Sequence, residues 1–312
     1  MIVGIDDYPT APLLGCVNDA KAVAELLRTN HDGSPNFDVK VITSDHRTIT
    51  RASLLREVTL LFTHQGGDVA LLYFSGHGTE DNLGGYLVTP DASEYSEGIN
   101  LTDVLTLASD STAHERVVIL DSCMSGNLGS IPATGAQSAN LKEGVSILTA
   151  SRPSQVSVEQ GGVGLFTELV CSALEGGAAD VLGAVSAPAI YSYVEEALGP
   201  WDQRPLFKAH LSKVAALRIA QPAVPLAVLR ELTVWFPNVD SEFRLDPTYE
   251  YTEPTADPDH VTVFKKLQRC RDAKLVEAVD AEYMYFAAIE GTACRLTGLG
   301  QHYWRLAKEG RV

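Results

Sequence analysis

This sequence predicts an α/β fold: a mostly parallel, six-stranded sheet with helices on both faces, followed by a small α+β domain. Three observations carry that expectation. Residues 69–78 read Val-Ala-Leu-Leu-Tyr-Phe-Ser-Gly-His-Gly and residues 117–126 read Val-Val-Ile-Leu-Asp-Ser-Cys-Met-Ser-Gly. Both open as continuous apolar runs, the pattern of strands covered on both faces of a parallel sheet. Around them, strand-like and helix-like segments alternate through the first two-thirds of the chain. Finally, 312 residues leave room for one large α/β domain and a small second one, and Gln221-Pro-Ala-Val-Pro225 reads as the linker.

The elements follow in order. Ile2–Ile5 is the first strand, and Asn18 or Asp19 caps an amphipathic helix running to about Thr29. Val39–Thr43 is a second strand, and residues 50–64 form a helix with Leu54, Leu55, Val58 and Leu61 at helical spacing. The two apolar runs come next, with a helix near 101–109 between them. Ser146–Ala150 is a fifth strand, Leu165–Leu174 a helix ending at Gly176-Gly177, and Pro188–Leu198 another helix. Pro205–Leu211 completes the sheet. Residues 1–220 therefore form the main domain, 221–259 a linker and irregular connection, and 260–312 the small domain. In the last of these, a basic helix over Phe264–Lys274 leads to a strand, Leu275–Val279. Tyr283–Ala288 and Thr292–Leu296 then pair as a hairpin, and Thr297–Leu306 closes as a helix.

Composition narrows the function classes. The net charge is −16, and residues 1–221 hold 13 Lys+Arg against 26 Asp+Glu. So acidic a body disfavours nucleic acid and attracts basic substrates. There is no 18-residue apolar run and no basic-plus-apolar leader, which points away from a membrane span or signal peptide. Met1 abuts the first strand, which leaves a true start further upstream open. Five cysteines without paired metal spacing suggest reduced thiols in a cytoplasmic setting.

The two apolar runs end on residues capable of covalent chemistry, His77 and Cys123. Reactive groups in open α/β sheets gather beyond the carboxyl ends of the strands. A neighbouring imidazole can take the proton of a thiol and leave the thiolate as nucleophile. Gly76, Gly78 and Gly126 let backbone approach a substrate, with N–H groups near Gly78 and Cys123 facing a developing oxyanion. Asp121 lies two residues before Cys123, so strand alternation puts both side chains on one side.

Ser-Gly-His-Gly ending one strand and Asp-Ser-Cys-x-Ser-Gly ending the next resemble the caspase-like cysteine peptidases, in their metacaspase and paracaspase branch with its bacterial members. The separation of the His and the Cys matches the caspase spacing of about 50 residues. Asp121-Ser122-Cys123 stands where animal caspases carry Gln-Ala-Cys. A third block, Val3-Gly4-Ile5-Asp6-Asp7-Tyr8 followed by Leu14-Gly15-Cys16-Val17-Asn18-Asp19-Ala20, resembles the first strand and loop of the same enzymes. The resemblance implies a caspase-like fold and a cysteine endopeptidase working through a Cys123–His77 dyad. A regulated role in a bacterial stress, defence or cell-death response would follow. It further implies that Asp19 and Asp121 line a pocket selecting Arg or Lys before the scissile bond; Glu159, in the loop after Ser146–Ala150, is a candidate third acid. A guanidinium buried there needs a matching carboxylate. The rival reading is a catalytically quiet scaffold acting through protein–protein contacts; intact dyad residues weigh against it.

Residues 127–144 are small and polar, a long loop directly after a candidate catalytic strand. Self-processing cuts often fall there in this clan, and Lys142 is the loop's one basic residue. Many metacaspases bind calcium, but Asp6-Asp7 and Asp91–Glu97 are too sparse to form an evident site, so no cofactor is expected. His31, His46, His64, His114, His210, His260 and His302 lack motif context and read as structural or surface residues. The order of elements in 260–312 is similar to a winged helix. Its five basic residues on 265–274 suggest DNA, but the surrounding acids oppose that, and a regulatory protein partner suits the module better.

Overall fold

Apolar runs become the central strands of the computed structural model, which describes residues 1–81, 84–94, 96–124, 141–151, 164–198 and 205–312. The chain divides into two compact units. One comprises 1–179 and 184–221, the other 180–183 and 222–312.

The first unit begins with β1 (Ile2–Gly4), α1 (Cys16–Arg28), β2 (Val41–Thr43), α2 (Arg51–Thr63) and β3 (Val69–Gly76). It continues through β4 (Gly78–Asp81), β5 (Gly84–Ser93), β6 (Ser96–Asn100), α3 (Leu101–Asp110) and β7 (Glu115–Met124). The remaining elements are β8 (Val145–Ser151), α4 (Leu165–Ser172), β9 (Ala184–Val185), α5 (Ala187–Leu198), β10 (Leu206–His210) and β11 (Arg218–Ile219). Six strands form one sheet in the order β10-β8-β7-β3-β1-β2. All neighbours are parallel except β10, which runs antiparallel to β8 at the edge.

Side-chain alternation splits the interior into two layers. Leu72 and Phe74 of β3 and Val118 and Leu120 of β7 pack with α2 and α3 on one face. Leu71, Tyr73, Val117 and Ile119 pack with α1, α4 and α5 on the other. Both faces are dry, which is why these strands carry almost no polar residue until their ends.

Several expected boundaries shift for physical reasons. Neither Asn18 nor Asp19 caps α1; its N-cap is Gly15, and the free N–H groups of Cys16 and Val17 donate to the Asp6 carboxylate at 2.9 and 3.3 Å. Asp19 is instead one turn before Val23 on the buried face of the helix. After β3 the chain does not leave the structure as a loop. It forms an antiparallel sheet, β4-β5-β6, whose mixed polar composition hid it from periodicity. The expected helix to Leu174 loosens after Ser172 into a π-helical turn, Ala173–Gly177, within which Gly176 has a φ of 135° that favours glycine.

The second unit holds α6 (Leu226–Trp235), β12 (Glu242–Arg244), α7 (Pro258–Asp272), β13 (Val276–Val279), α8 (Met284–Ile289), β14 (Ala293–Leu296) and α9 (Gly298–Lys308). The expected hairpin between 283–288 and 292–296 does not form. Met284, Ala287 and Ala288 are buried at helical spacing, and the segment is α8. β14 pairs antiparallel with β13 and β12 instead. Phe236, Leu267, Leu232 and Cys294 are among the fully buried side chains of this unit's own core.

Candidate active site

The end of β3 delivers His77 to the carboxyl edge of the sheet. Its backbone N–H donates to the Tyr8 hydroxyl at 3.0 Å, and the Tyr8 ring lies against the imidazole with centroids 4.5 Å apart. Tyr8 is itself buried, and its hydroxyl reaches Val88 O of β5 at 3.3 Å. Nε2 of His77 is 2.6 Å from the carbonyl oxygen of Ala11. A carbonyl only accepts, so this contact puts the proton on Nε2 and leaves the Nδ1 lone pair available as a base.

The end of β7 lies alongside. β3 and β7 pair in parallel register as far as Gly76 and Ser122. The backbones of His77 and Cys123 are therefore the next residues along two adjacent strand ends. Of the other cysteines, Cys171, Cys270 and Cys294 have thiols pushed up to about 12, each first by burial. Burial also pushes Cys16 up, reinforced by Asp6, Asp19 and Asp121. None of these four is suited to act as a thiolate nucleophile at neutral pH.

Below the strand ends sits a pair of buried acids. Ser75 and Asp121 are register partners on β3 and β7, and both continue the face that α1 and α4 cover. Asp19 enters from α1. Both carboxylates belong to residues 3% exposed. Ser75 Oγ donates to Asp19 Oδ2 at 3.0 Å, and the Gly164 N–H donates to Asp19 Oδ1 at 2.9 Å. Thr167 Oγ1 donates to Asp121 Oδ2 at 2.8 Å. Thr167 has one hydroxyl proton, so the buried Tyr73 hydroxyl beside it is the donor in their contact. A Cβ on Gly164 would stand 3.0 Å from Asp121 Oδ2 and 3.4 Å from Asp19 Oδ2. The two acids thus converge on one bare backbone position. Burial, then the Asp121 charge, pushes the Asp19 carboxyl up to about 7, against the opposing hydrogen bonds from Gly164 and Ser75.

A strand-end histidine, an adjacent strand-end cysteine and a six-stranded, mostly parallel sheet are joined by a direct family match. The model of the peptidase C14 caspase domain matches residues 1–215. This chain belongs to the caspase family. Membership implies cysteine peptidase activity. Among solved structures it is similar to protein GSU0716 from Geobacter sulfurreducens. That likeness has a TM-score of 0.49 at 18% identity and covers 71% of this chain and 96% of that one. No curated protein matches the chain.

The other sequence-predicted residues of this caspase-family chain fall as follows. Gly78 opens β4 directly after His77, where its partner across the ladder is Leu87. Glu159 lies outside the described residues, as do residues 127–140 of the loop. Lys142 is at the opposite edge of the sheet from the strand ends. Its ammonium meets Asp110 at 2.6 Å, and Glu143 O, Gly144 N and Leu141 O are bonded to Arg116, His210 and His210 respectively. Val145 pairs with Arg116 near the start of β7, so Lys142 is roughly 20 Å along the strand from Cys123.

Sequence reasoning missed Ala11, Ser75, Gly164 and Thr167, and placed Tyr8 only within a motif. Ser75 was recoverable, since it sits two residues before His77 as Asp121 does before Cys123. Ala11 acts through its carbonyl, which leaves no side-chain signal. Among the described residues no group of three or more His, Cys, Asp or Glu side chains is arranged to hold a metal. Among them, too, no helix is long and apolar enough to cross a membrane.

Proposed function

We propose that this protein is a cysteine endopeptidase that cuts protein substrates after Arg or Lys. The observation that supports it most is the Gly76–Ser122 register, which sets the backbones of His77 and Cys123 on neighbouring strand ends. In this reading the His77 Nδ1 takes the thiol proton, and the Cys123 sulfur attacks the scissile carbonyl carbon. The developing oxyanion is met by backbone N–H groups near Gly78 and Cys123. The proton on His77 then passes to the leaving amine, and water hydrolyses the thioester with the same imidazole as base. The Ala11 carbonyl holds the ring in the tautomer this sequence needs.

Specificity for a basic side chain is supported by the Asp19–Asp121 pair, which provides two carboxylates beneath a glycine with no side chain to obstruct entry. Glu159 remains a third acid of that pocket in the proposal. The second unit serves in this reading as a regulatory or interaction module for a protein partner. A fluorogenic peptide series with Arg, Lys or Asp before the cut, run on wild type and Cys123→Ala, tests the reading. Cleavage of the Arg and Lys peptides by wild type alone is expected. Cleavage of the Asp peptide only, or of all three by Cys123→Ala, overturns it.

A further inference from the structure

The edge strand of a sheet carries backbone groups that no strand of its own sheet can bond. In the second unit the strand order is β12-β14-β13, and among the described residues β13 pairs with β14 alone. The ladder fixes which groups are left over. Thr297 N–H donates to Leu275 O at 3.0 Å, so Leu275, Glu277 and Val279 turn their backbone groups toward β14. By alternation, the N–H and C=O groups of Val276 and Ala278 point out of the free edge. A groove of about 330 Å³ runs beside that edge, its lining including Lys274, Val276, Ala278, Glu282, Tyr283 and Met284.

The composition of β13 does nothing to blunt this edge. Val-Glu-Ala-Val has no proline and no lysine, and its one charge, Glu277, is held by Arg295 of β14 at 2.8 Å. Apolar surface continues from the groove. Tyr283, Tyr285 and Phe286 are 51%, 42% and 42% exposed, and the Phe286 ring lies 6.1 Å from that of Tyr283 and 5.4 Å from that of Tyr285. A contiguous exposed cluster of this kind marks an interaction surface. Charge indicates what covers it. Lys274 stands before the strand and Glu282 after it, both exposed. Arg271 is engaged with Asp272 at 3.3 Å, whereas neither Lys274 nor Glu282 is in an ion pair among the described residues.

We propose that a second copy of this chain covers the edge, with β13 pairing antiparallel to β13 of the copy about a two-fold axis. Such pairing lays the basic start of each strand beside the acidic end of the other. Lys274 and Glu282 are each four residues from Ala278, so a ladder centred on Ala278 brings Lys274 near Glu282 of the copy twice over. The out-pointing groups of Val276 and Ala278 gain hydrogen bonds in the same step. A strand of four residues pairs weakly, so the dimer depends on concentration. The inference rests on the reading of the second unit as an interaction module, for which it supplies the partner, and not on the peptidase chemistry.

The test is the mass of the full chain in solution, read by sedimentation equilibrium over a wide range of concentration. The expected result is one chain at low concentration and two at high. Ala278→Pro removes an N–H that has no partner within the sheet, so the fold, checked by circular dichroism, should stand while the dimer is lost. Lys274→Glu and Glu282→Lys should each weaken the dimer about tenfold, because two attractive contacts become repulsive. An equimolar mixture of these two variants should restore it, since both contacts of the mixed dimer then join unlike charges. A single chain at every concentration overturns the inference, while the interaction reading stands with a strand of a different protein as the partner. A dimer that survives Ala278→Pro, or a mixture no tighter than its two components, also overturns it by placing the contact elsewhere.

Discussion

Ala11 presents its carbonyl oxygen to Nε2 of His77 at 2.6 Å. Ala11 has a φ of 59°, a left-handed conformation that costs a non-glycine residue about 1 kcal/mol or more. The loop between β1 and α1 thus holds a strained residue where it aims a carbonyl at the candidate base. His77→Ala and Cys123→Ala should each abolish peptide cleavage while circular dichroism stays native. The double variant should be little worse than either single one, because members of one catalytic unit lose activity non-additively. A substantial residual rate in His77→Ala would move the base to another residue.

Tyr8→Phe keeps the ring against His77 but removes the hydroxyl that joins the His77 N–H to Val88 O. Losing such buried hydrogen bonds costs about 1–3 kcal/mol, part of it as misplacement of the imidazole. We expect kcat to fall about tenfold with KM nearly unchanged. A rise in KM alone would show that Tyr8 shapes the substrate site rather than the histidine.

The acid pair offers a specificity test from both sides. Asp121→Asn and Asp19→Asn should each lower kcat/KM for Arg peptides at least a hundredfold, the order expected when a buried ion pair loses one partner, about 3–5 kcal/mol. Gly164→Ala puts a methyl group 3.0 Å from Asp121 Oδ2 without backbone strain. It should raise KM for Arg peptides and leave thermal stability within a few degrees. Unchanged KM in Gly164→Ala would mean that the substrate side chain does not enter above this glycine.

Stability should carry the signature of Asp19. Its folded-state carboxyl is raised above its ordinary value to about 7, so between about pH 4 and 7 the folded chain holds a proton that the unfolded chain has lost. Stability from this group is therefore greatest at the acid end and declines as pH rises toward 7, by at most about 1.4 kcal/mol per unit. Other carboxylates act in the opposite sense, among them Asp45, held low by Lys21. The measurement is thus the difference in urea midpoint between wild type and Asp19→Asn across that range. The variant should gain on wild type as pH increases; a constant difference would show that Asp19 ionises normally.

Lys142 bears on control. Residues 141–145 are tied to Arg116, His210 and the start of β8, at the edge of the sheet away from Cys123. A cut there by the same molecule requires that anchored segment to leave the sheet. Lys142→Ala should accordingly leave both the intact chain and its peptidase rate unchanged on gels and in the reporter assay. Two fragments in wild type that vanish in the variant, together with the activity, would restore processing as the control.

Much of this molecule was legible in one dimension. Strands buried on two faces announce themselves as unbroken apolar runs, and the polar residues that end them stand out by contrast. His77, Cys123 and Asp121 were visible for that reason, as were helices with strong periodicity such as α2. β4, β5 and β6 were not, because a short antiparallel sheet of mixed polarity has neither pattern. Met284–Ile289 was misread as a strand because so short an apolar segment does not distinguish period 2 from period 3.6.

What only the tertiary structure decided are the partnerships. Asp19 looks like a helix cap in sequence; folding gives that task to Asp6, ten residues before Cys16, and turns Asp19 inward to Ser75 and Gly164. Thr167 reaches Asp121 across 46 residues, and Gly164 reaches Asp19 across 145. Sequence sets which side chains can ionise, donate or pack, because those are properties of single residues. Whether a carboxylate meets a cation, a hydroxyl or another carboxylate depends on which strand ends and helix faces the sheet order brings together, and no local pattern encodes that.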